Sequence, residues 1–327
     1  MLTSNCAMDI IIVYLVFAEK PEKRIVMKDC TILVNSCDLY EDTWYPFFKL
    51  LQLQWPDCPY DVVLNTETKQ YDCPFMNVKT INSSKDLSWT ARLRYVLNQI
   101  DSDFVLFFLE DFFLLSPVRV EGFNKALEII KNDDSIGLMH FTPVEQQMPE
   151  PQNDLENCFY ELPVRKRTLR TRVAVSIFRK DYFLKLLYKD ENPWQYERES
   201  HIRSMVAGYK IYRQDYSLYP PVFHYCLDHE IGIGVTSRKW LKNNKPFFES
   251  MGIFDVNYDR LGIMTDEVKA ELIKDQSDIK KIGFKEWFYK KFKQPLKRKL
   301  RHVWIVQDIV NMKKYLKYKE YYKNYKG

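Results

Sequence analysis

Two adjacent carboxylates, Glu110 and Asp111, directly follow an unbroken apolar run from Phe104 to Leu109. Acids at the end of a buried strand are costly unless something neutralises them. Oxygen ligands of this kind suit a hard divalent cation, and such a cation is commonly shared with a phosphate-bearing ligand. Successive strand residues point to opposite faces, so the two acids divide their roles, with Asp111 on the metal. The plain alternative is that the pair only ends a strand and opens a turn. Further candidates lie elsewhere in the chain. Ser36 and Asp38 stand after a short β-branched run and either contact a nucleotide or cap the next helix. Arg92 either reaches a diphosphate or is a solvated or ion-paired helix residue. Glu191 and Glu197 flank Pro193-Trp194, where an acid at a helix start serves as a general base or as a cap. His224 reads as a metal ligand or as a core histidine. Ser237, Arg238 and Lys239, after Gly232 and Gly234, form either a basic loop closing over a diphosphate or a surface loop before Trp240.

Positioning these residues requires a sheet. Thr31–Val34, Asp61–Asn65, Phe104–Leu109, Ile136–Phe141 and Val173–Phe178 read as strands. Helical spacing places helices at Trp44–Leu51, with Asp42 or Thr43 as N-cap, and at Trp89–Ile100, capped by Ser88. Two more follow around Phe123–Ile130 and Tyr182–Leu187, and a polar helix runs through Ile202 and Val206. Strand and helix alternate over the first ~140 residues, the pattern of an α/β sheet with helices on its faces. In such sheets ligands sit at the carboxyl ends of the strands, where Glu110 and Asp111 fall. Residues 142–170 carry four prolines and read as an excursion over the sheet edge. The arginines that follow, Arg165 to Arg172, are either solvated surface or a site for an anionic acceptor.

The composition narrows the function. The 327 residues are 46% hydrophobic and 15% aromatic, ample for a packed core, and only 9 are Gly. Neither a GxGxxG nor a GxxxxGK[ST] phosphate loop occurs. Seven scattered cysteines without a CxxC pair argue against a zinc site or disulfide framework and fit a reducing cytoplasm. Net charge is +5, yet residues 280–327 hold 16 Lys/Arg against 3 Asp/Glu, so the rest of the chain is acidic. Residues 284–327 interleave these cations with aromatics, a pattern suited to an anionic membrane surface. No nucleic-acid module accompanies them. The apolar stretch Met8–Ala18 is shorter than the ~20 residues a membrane span needs. Met27 precedes the first strand, and residues 1–26 read as an extension outside the core.

The ordered pieces Trp89–Ile100, Phe104–Leu114, Val175–Phe183, Glu191–Glu197 and Ser237–Trp240 together resemble a family of bacterial glycosyltransferases with the GT-A fold, family-2-like, encoded among capsule and lipopolysaccharide genes. The resemblance implies a GT-A-like (Rossmann-like) mixed, mostly parallel sheet over residues 27–265, with residues 266–327 as a basic, aromatic, helical tail. It implies a metal-assisted, inverting glycosyltransferase that moves a sugar from a nucleotide-diphospho-sugar to a saccharide or lipid-linked acceptor in surface polysaccharide synthesis. In that reading Asp111 ligates Mg²⁺ or Mn²⁺, and Glu110 assists or faces the nucleoside. Glu197 is the base with Glu191 in reserve, and Arg238 and Lys239 steady the diphosphate. Glu110-Asp111 replaces the strict Asp-x-Asp of such enzymes. The enzyme would sit on the inner face of the cell membrane, held by its tail. A sugar-phosphate nucleotidyltransferase and a non-catalytic membrane-associated binding protein are the competing classes.

Overall fold

The computed structural model describes residues 27–141, 151–164, 170–226, 233–268 and 304–324. Its centre is an eight-stranded sheet. The strands are β1 (Met27–Asn35), β2 (Tyr60–Thr66), β3 (Val78–Asn82), β4 (Phe104–Leu109), β5 (Ile136–His140), β6 (Phe159–Glu161), β7 (Ser176–Arg179) and β8 (Lys210–Gln214), in the order β3-β2-β1-β4-β7-β5-β8-β6. The helices are α1 (Glu41–Gln54), α2 (Trp89–Leu97), α3 (Val120–Asn132), α4 (Lys180–Leu186), α5 (Pro193–Val206), α6 (Asn244–Ser250) and α7 (Trp304–Asn324).

Strand alternation explains the unbroken apolar run of β4. Phe104, Leu106 and Phe108 join a core with Ile32, Val34, Phe47 of α1 and Phe123 of α3. Val105 and Phe107 point the other way, into a core with Leu33, Leu93 of α2, Phe183 of α4 and Tyr196 of α5. Both faces of the strand are therefore covered, and each fully buried side chain of this size contributes about 1.5–3 kcal/mol.

Strand direction places the chemistry. β3, β2, β1 and β4 are mutually parallel, and β5 and β8 run the same way. β7 is antiparallel to both β4 and β5, so its first residue lies at the edge where its neighbours end. That edge carries Ser36 to Asp38, Glu67 to Lys69, Glu110-Asp111, His140, Arg213 and the segment leading into β7. The expected mixed, mostly parallel sheet flanked by helices is thus present. Several local expectations change. The N-cap of α1 is Tyr40, not Asp42 or Thr43. Two strands, β3 and β8, join the expected five at the sheet's flanks. The described part of the 142–170 excursion holds β6, which pairs antiparallel with β8. The basic loop before Trp240 is a hairpin, β9 (Val235–Thr236) with β10 (Lys239–Trp240).

Residues 269–303 and 325–327 of the expected tail lie outside the described residues, and so does the N-terminal extension 1–26. Its described helix is α7, which lies against α5. Tyr318 is 3% exposed and donates its hydroxyl to Glu199 at 2.9 Å, while Lys314 pairs with the same carboxylate. The Tyr322 hydroxyl donates to the Lys185 carbonyl at 2.7 Å, and Tyr188 packs against Tyr318 and Tyr321. Lys313, Lys317, Lys319 and Lys323 face solvent. No helix among the described residues is long and apolar enough to cross a membrane.

Candidate active site

The first wall of the site is the turn after β1. Asp38 is caged: its carboxylate accepts the backbone N–H groups of Glu67, Thr68 and Lys69 at 3.0–3.2 Å, and the Thr68 hydroxyl. Desolvation raises the Asp38 pKa, but these donors outweigh it and hold the carboxyl below its usual range. Ser36 is buried, and its hydroxyl accepts the Trp44 indole N–H at 2.7 Å. Both side chains thus fix the turn. Arg260 closes it from outside, reaching Asp42 at 2.9 Å and Glu41 at 3.0 Å. Beneath runs a buried amide chain, with Ser83 donating to Asn65 and Asn65 to Asn35, each at 2.7 Å.

The floor is the acid pair. Glu110 is 8% exposed, and Asp111 is half-buried. Burial, then the neighbouring charge of Asp111, pushes the Glu110 carboxyl well above the usual carboxylate range, against its own backbone N–H and the charge of Arg92. Burial raises Asp111 to about 6, against its own backbone N–H and that of Val235 in β9. Arg92 ion-pairs instead with Glu67, Nη1 to Oε1 at 2.7 Å. Sequence reasoning missed Glu67, although it follows β2 as Glu110 follows β4. It also missed Cys37 and Tyr40. Burial and then Glu110 raise the Cys37 thiol to about 11 and the Tyr40 phenol to about 12.

The β9–β10 hairpin meets the acid pair through the Val235 N–H. Its two turn residues, Ser237 and Arg238, have φ of 49° and 62°. Two-residue hairpin turns require this left-handed backbone, but it strains non-glycine residues by about 1–3 kcal/mol each. Arg238 is exposed, and its charge lowers the Tyr40 pKa while Glu110 and Asp111 raise it. Tyr40 therefore stands in the fields of both the acid pair and the hairpin arginine. Lys239 turns elsewhere, with Nζ 3.1 Å from where a Cβ on Gly262 would stand.

The remaining candidates separate. His224 is exposed, with Nδ1 3.4 Å from the Ser116 hydroxyl. It does not combine with Glu110 and Asp111 as a metal cluster, since no group of three His, Cys, Asp or Glu among the described residues is placed to hold an ion. Glu191 is 5% exposed and gives both oxygens to Arg203, at 2.6 and 2.9 Å. Glu197, on the first turns of α5, is half-buried; its Oε1 accepts the Val173 N–H at 2.8 Å, on the segment entering β7 at the carboxyl edge. The Asn192–Gln195 capping box with Pro193 fixes this helix start.

Arg203 is wholly buried and also lies 5.5 Å from the Tyr318 ring centre. Arg203→Met would leave Glu191 as an uncompensated interior charge, and a loss of about 3–5 kcal/mol is expected in urea unfolding. Adding Glu191→Gln to Arg203→Met should recover part of the loss; no recovery would contradict the pairing.

His140 offers a pH test. It is fully buried; its Nε2 donates to the Arg170 carbonyl at 2.8 Å. Burial, then the charges of Arg213, Arg172 and Arg170, depress its pKa to about 3. Unfolded histidine titrates near ~6.5, so this group's contribution is present above that pH and is lost as pH falls toward 3. Each pH unit in that window costs up to about 1.4 kcal/mol. His140→Asn is expected to flatten the acid limb of the stability curve.

No protein-family model matches the chain, and no curated protein does. Among solved structures, it is similar to S. aureus TarS 1-349 in complex with UDP, at 14% identity over 91% of both chains with a TM-score of 0.45. A mannosyltransferase from Pyrobaculum calidifontis in complex with GDP-Man and Mn2+ matches at 12% identity over 62% of this chain and 59% of that one, TM-score 0.37. A cytidylyltransferase from Leptospira borgpetersenii matches at 9% identity over 79% and 99%, TM-score 0.40. At these scores the chemistry of the site must carry the functional reading.

Proposed function

We propose that this protein is a glycosyltransferase that moves a sugar from a nucleotide-diphospho-sugar to a saccharide or lipid-linked acceptor. The observation that carries this reading is the acid pair at the carboxyl edge. Two desolvated carboxylates stand there, Asp111 accepts the Val235 N–H of the hairpin that carries Arg238, and the buried Arg92 is committed to Glu67. Such a pair would suit a hard divalent cation, Mg²⁺ or Mn²⁺, which prefers oxygen ligands. Asp111 would hold it, with Glu110 assisting. When bound, the ion would offset charge on the leaving diphosphate. Arg238 is the protein's cation for that diphosphate, with Lys239 secondary to it. The Ser36–Asp38 turn and the Arg92–Glu67 pair shape the nucleoside side. Glu197 is the base for the acceptor hydroxyl, since Glu191 is occupied by Arg203, and the displacement inverts the anomeric centre. In this reading the solvent-facing lysines of α7 meet an anionic membrane surface on the cytoplasmic side, and the product is a surface polysaccharide or its precursor.

A panel of nucleotide sugars, incubated with the full chain and Mn²⁺, tests the class. Release of a free nucleoside diphosphate from one donor supports the transferase. Pyrophosphate release from a nucleoside triphosphate plus a sugar 1-phosphate would replace it with a nucleotidyltransferase. No turnover of any donor, with or without saccharide acceptors, would replace it with a binding protein.

A further inference from the structure

The carboxyl edge carries a second charged cluster, beyond β7 from the acid pair. His140 on β5 is the register partner of Ser176 on β7 and of Arg213 on β8. Register partners present their side chains on one face, so these three stand in a row at the edge. Arg170 joins them through its carbonyl bond to His140. Its side chain is also buried: the residue is 1% exposed, and Nη1 donates to the Ser204 carbonyl at 3.3 Å. Its Nε and Nη2 are buried without a hydrogen-bond partner, and so is Nε of Arg213. Arg172, half-buried, stands two residues after Arg170 on the segment whose Val175 N–H donates to the Tyr225 hydroxyl at 3.2 Å, and its charge, like those of Arg170 and Arg213, bears on His140. No described carboxylate forms an ion pair with any of the three; Glu161 acts on Arg170 only through its field.

Buried, unsatisfied guanidinium N–H groups cost more than neutral ones, and three arginines gathered without an ion-paired acid among the described residues leave a place for an anion. Guanidinium forks match planar or tetrahedral oxyanions. Three positive charges exceed what one carboxylate offsets, whereas a phosphate dianion offers three oxygens and twice the charge. The cluster also adjoins the proposed reaction centre. Tyr225 bridges to Leu114 through its backbone, and its ring lies 5.1 Å from that of Phe112, the residue after Asp111. Val173, whose N–H holds Glu197, is next to Arg172 in the chain.

We propose that Arg170, Arg172 and Arg213 form an acceptor subsite that binds a phosphate group carried by the acceptor. The acceptor is then a phosphorylated saccharide or polyol, or a lipid-linked phosphate. Its role as acceptor rests on the transferase reading; the anion site itself does not. The phosphate would be gripped by the arginines while the hydroxyl to be glycosylated extends toward Glu197.

The test titrates inorganic phosphate and glycerol 3-phosphate, by calorimetry, into the full-length wild type, Asp111→Ala and the double variant Arg172→Gln, Arg213→Gln. These two arginines are half-buried, so the variant avoids emptying the Arg170 site. Phosphate is expected to bind wild type and Asp111→Ala alike and the double variant at least about tenfold more weakly, a difference easily read in Kd. Nucleotide binding by the double variant should be unchanged. Equal phosphate binding by the double variant, no phosphate binding by wild type, or tighter binding of glucuronate than of phosphate would overturn the subsite. Vesicles of phosphatidic acid against phosphatidylglycerol, both anionic but only the first with a terminal phosphate, separate the sources: a preference for phosphatidic acid that the double variant loses points to a lipid phosphate, and equal sedimentation with both alongside phosphate binding points to a soluble one. Phosphate binding that persists while no nucleotide sugar is turned over would refute the transferase reading and leave the anion site standing.

Discussion

Replacing Asp111 by alanine is expected to lower sugar transfer by about 10³-fold, the scale of losing several kcal/mol of charge stabilisation at the leaving diphosphate. The size follows from where the carboxylate sits. It is held by its own backbone N–H and that of Val235, at the junction of the β4 end and the hairpin that carries Arg238. Asp111→Asn should lose nearly as much, because the amide keeps the shape and not the charge. The substitution removes a desolvated acid, so the variant protein is expected to be no less stable than wild type at neutral pH. A stable Asp111→Ala protein with undiminished turnover, measured at saturating donor with Mn²⁺, would remove the acid pair from the chemistry.

The second large effect is expected at Glu197. A general base typically contributes about 10²–10⁴-fold, and Glu197→Gln should lose that in kcat with the donor KM unchanged. The amide oxygen can still accept the Val173 N–H that Glu197 holds at 2.8 Å, so the local backbone is preserved and the loss reports the carboxylate itself. Glu191→Gln differs in kind. Its side chain pairs with buried Arg203, and its removal should reduce stability ahead of turnover. Full turnover by Glu197→Gln would move the base elsewhere on the edge.

Much of this arrangement was legible in the chain, for physical reasons that can be named. The β4 run declares itself because both its faces are buried, and the cost of two acids after such a run makes them the candidates to test. β3 and β8 stayed hidden because they lie toward the sheet's flanks. The burial of Val78–Asn82 is partial, and Lys210–Gln214 mixes polar residues with Ile211, so neither shows an apolar run. The hairpin was hidden because Ser237 and Arg238 occupy left-handed positions where glycine or asparagine is the usual signal. Glu67 was legible by the logic applied to Glu110, as an acid at the end of a parallel strand. The packing of α7 on the body was not legible, because its tyrosines read as interfacial aromatics. Their hydroxyls instead find Glu199 and the Lys185 carbonyl on the body of the protein, a pairing that spans more than a hundred residues and leaves no local trace.

The most direct measurement is a thermal-shift series with UDP, GDP, CDP and ADP, with and without Mn²⁺, on wild type and Asp111→Ala, each read against its own ligand-free midpoint. Ligand that binds the native state raises the midpoint by mass action. A nucleotide-sugar site built on the acid pair predicts a rise with one nucleotide diphosphate that needs Mn²⁺ and is absent in Asp111→Ala. No rise with any nucleotide, or a rise that Asp111→Ala retains in full, would contradict it.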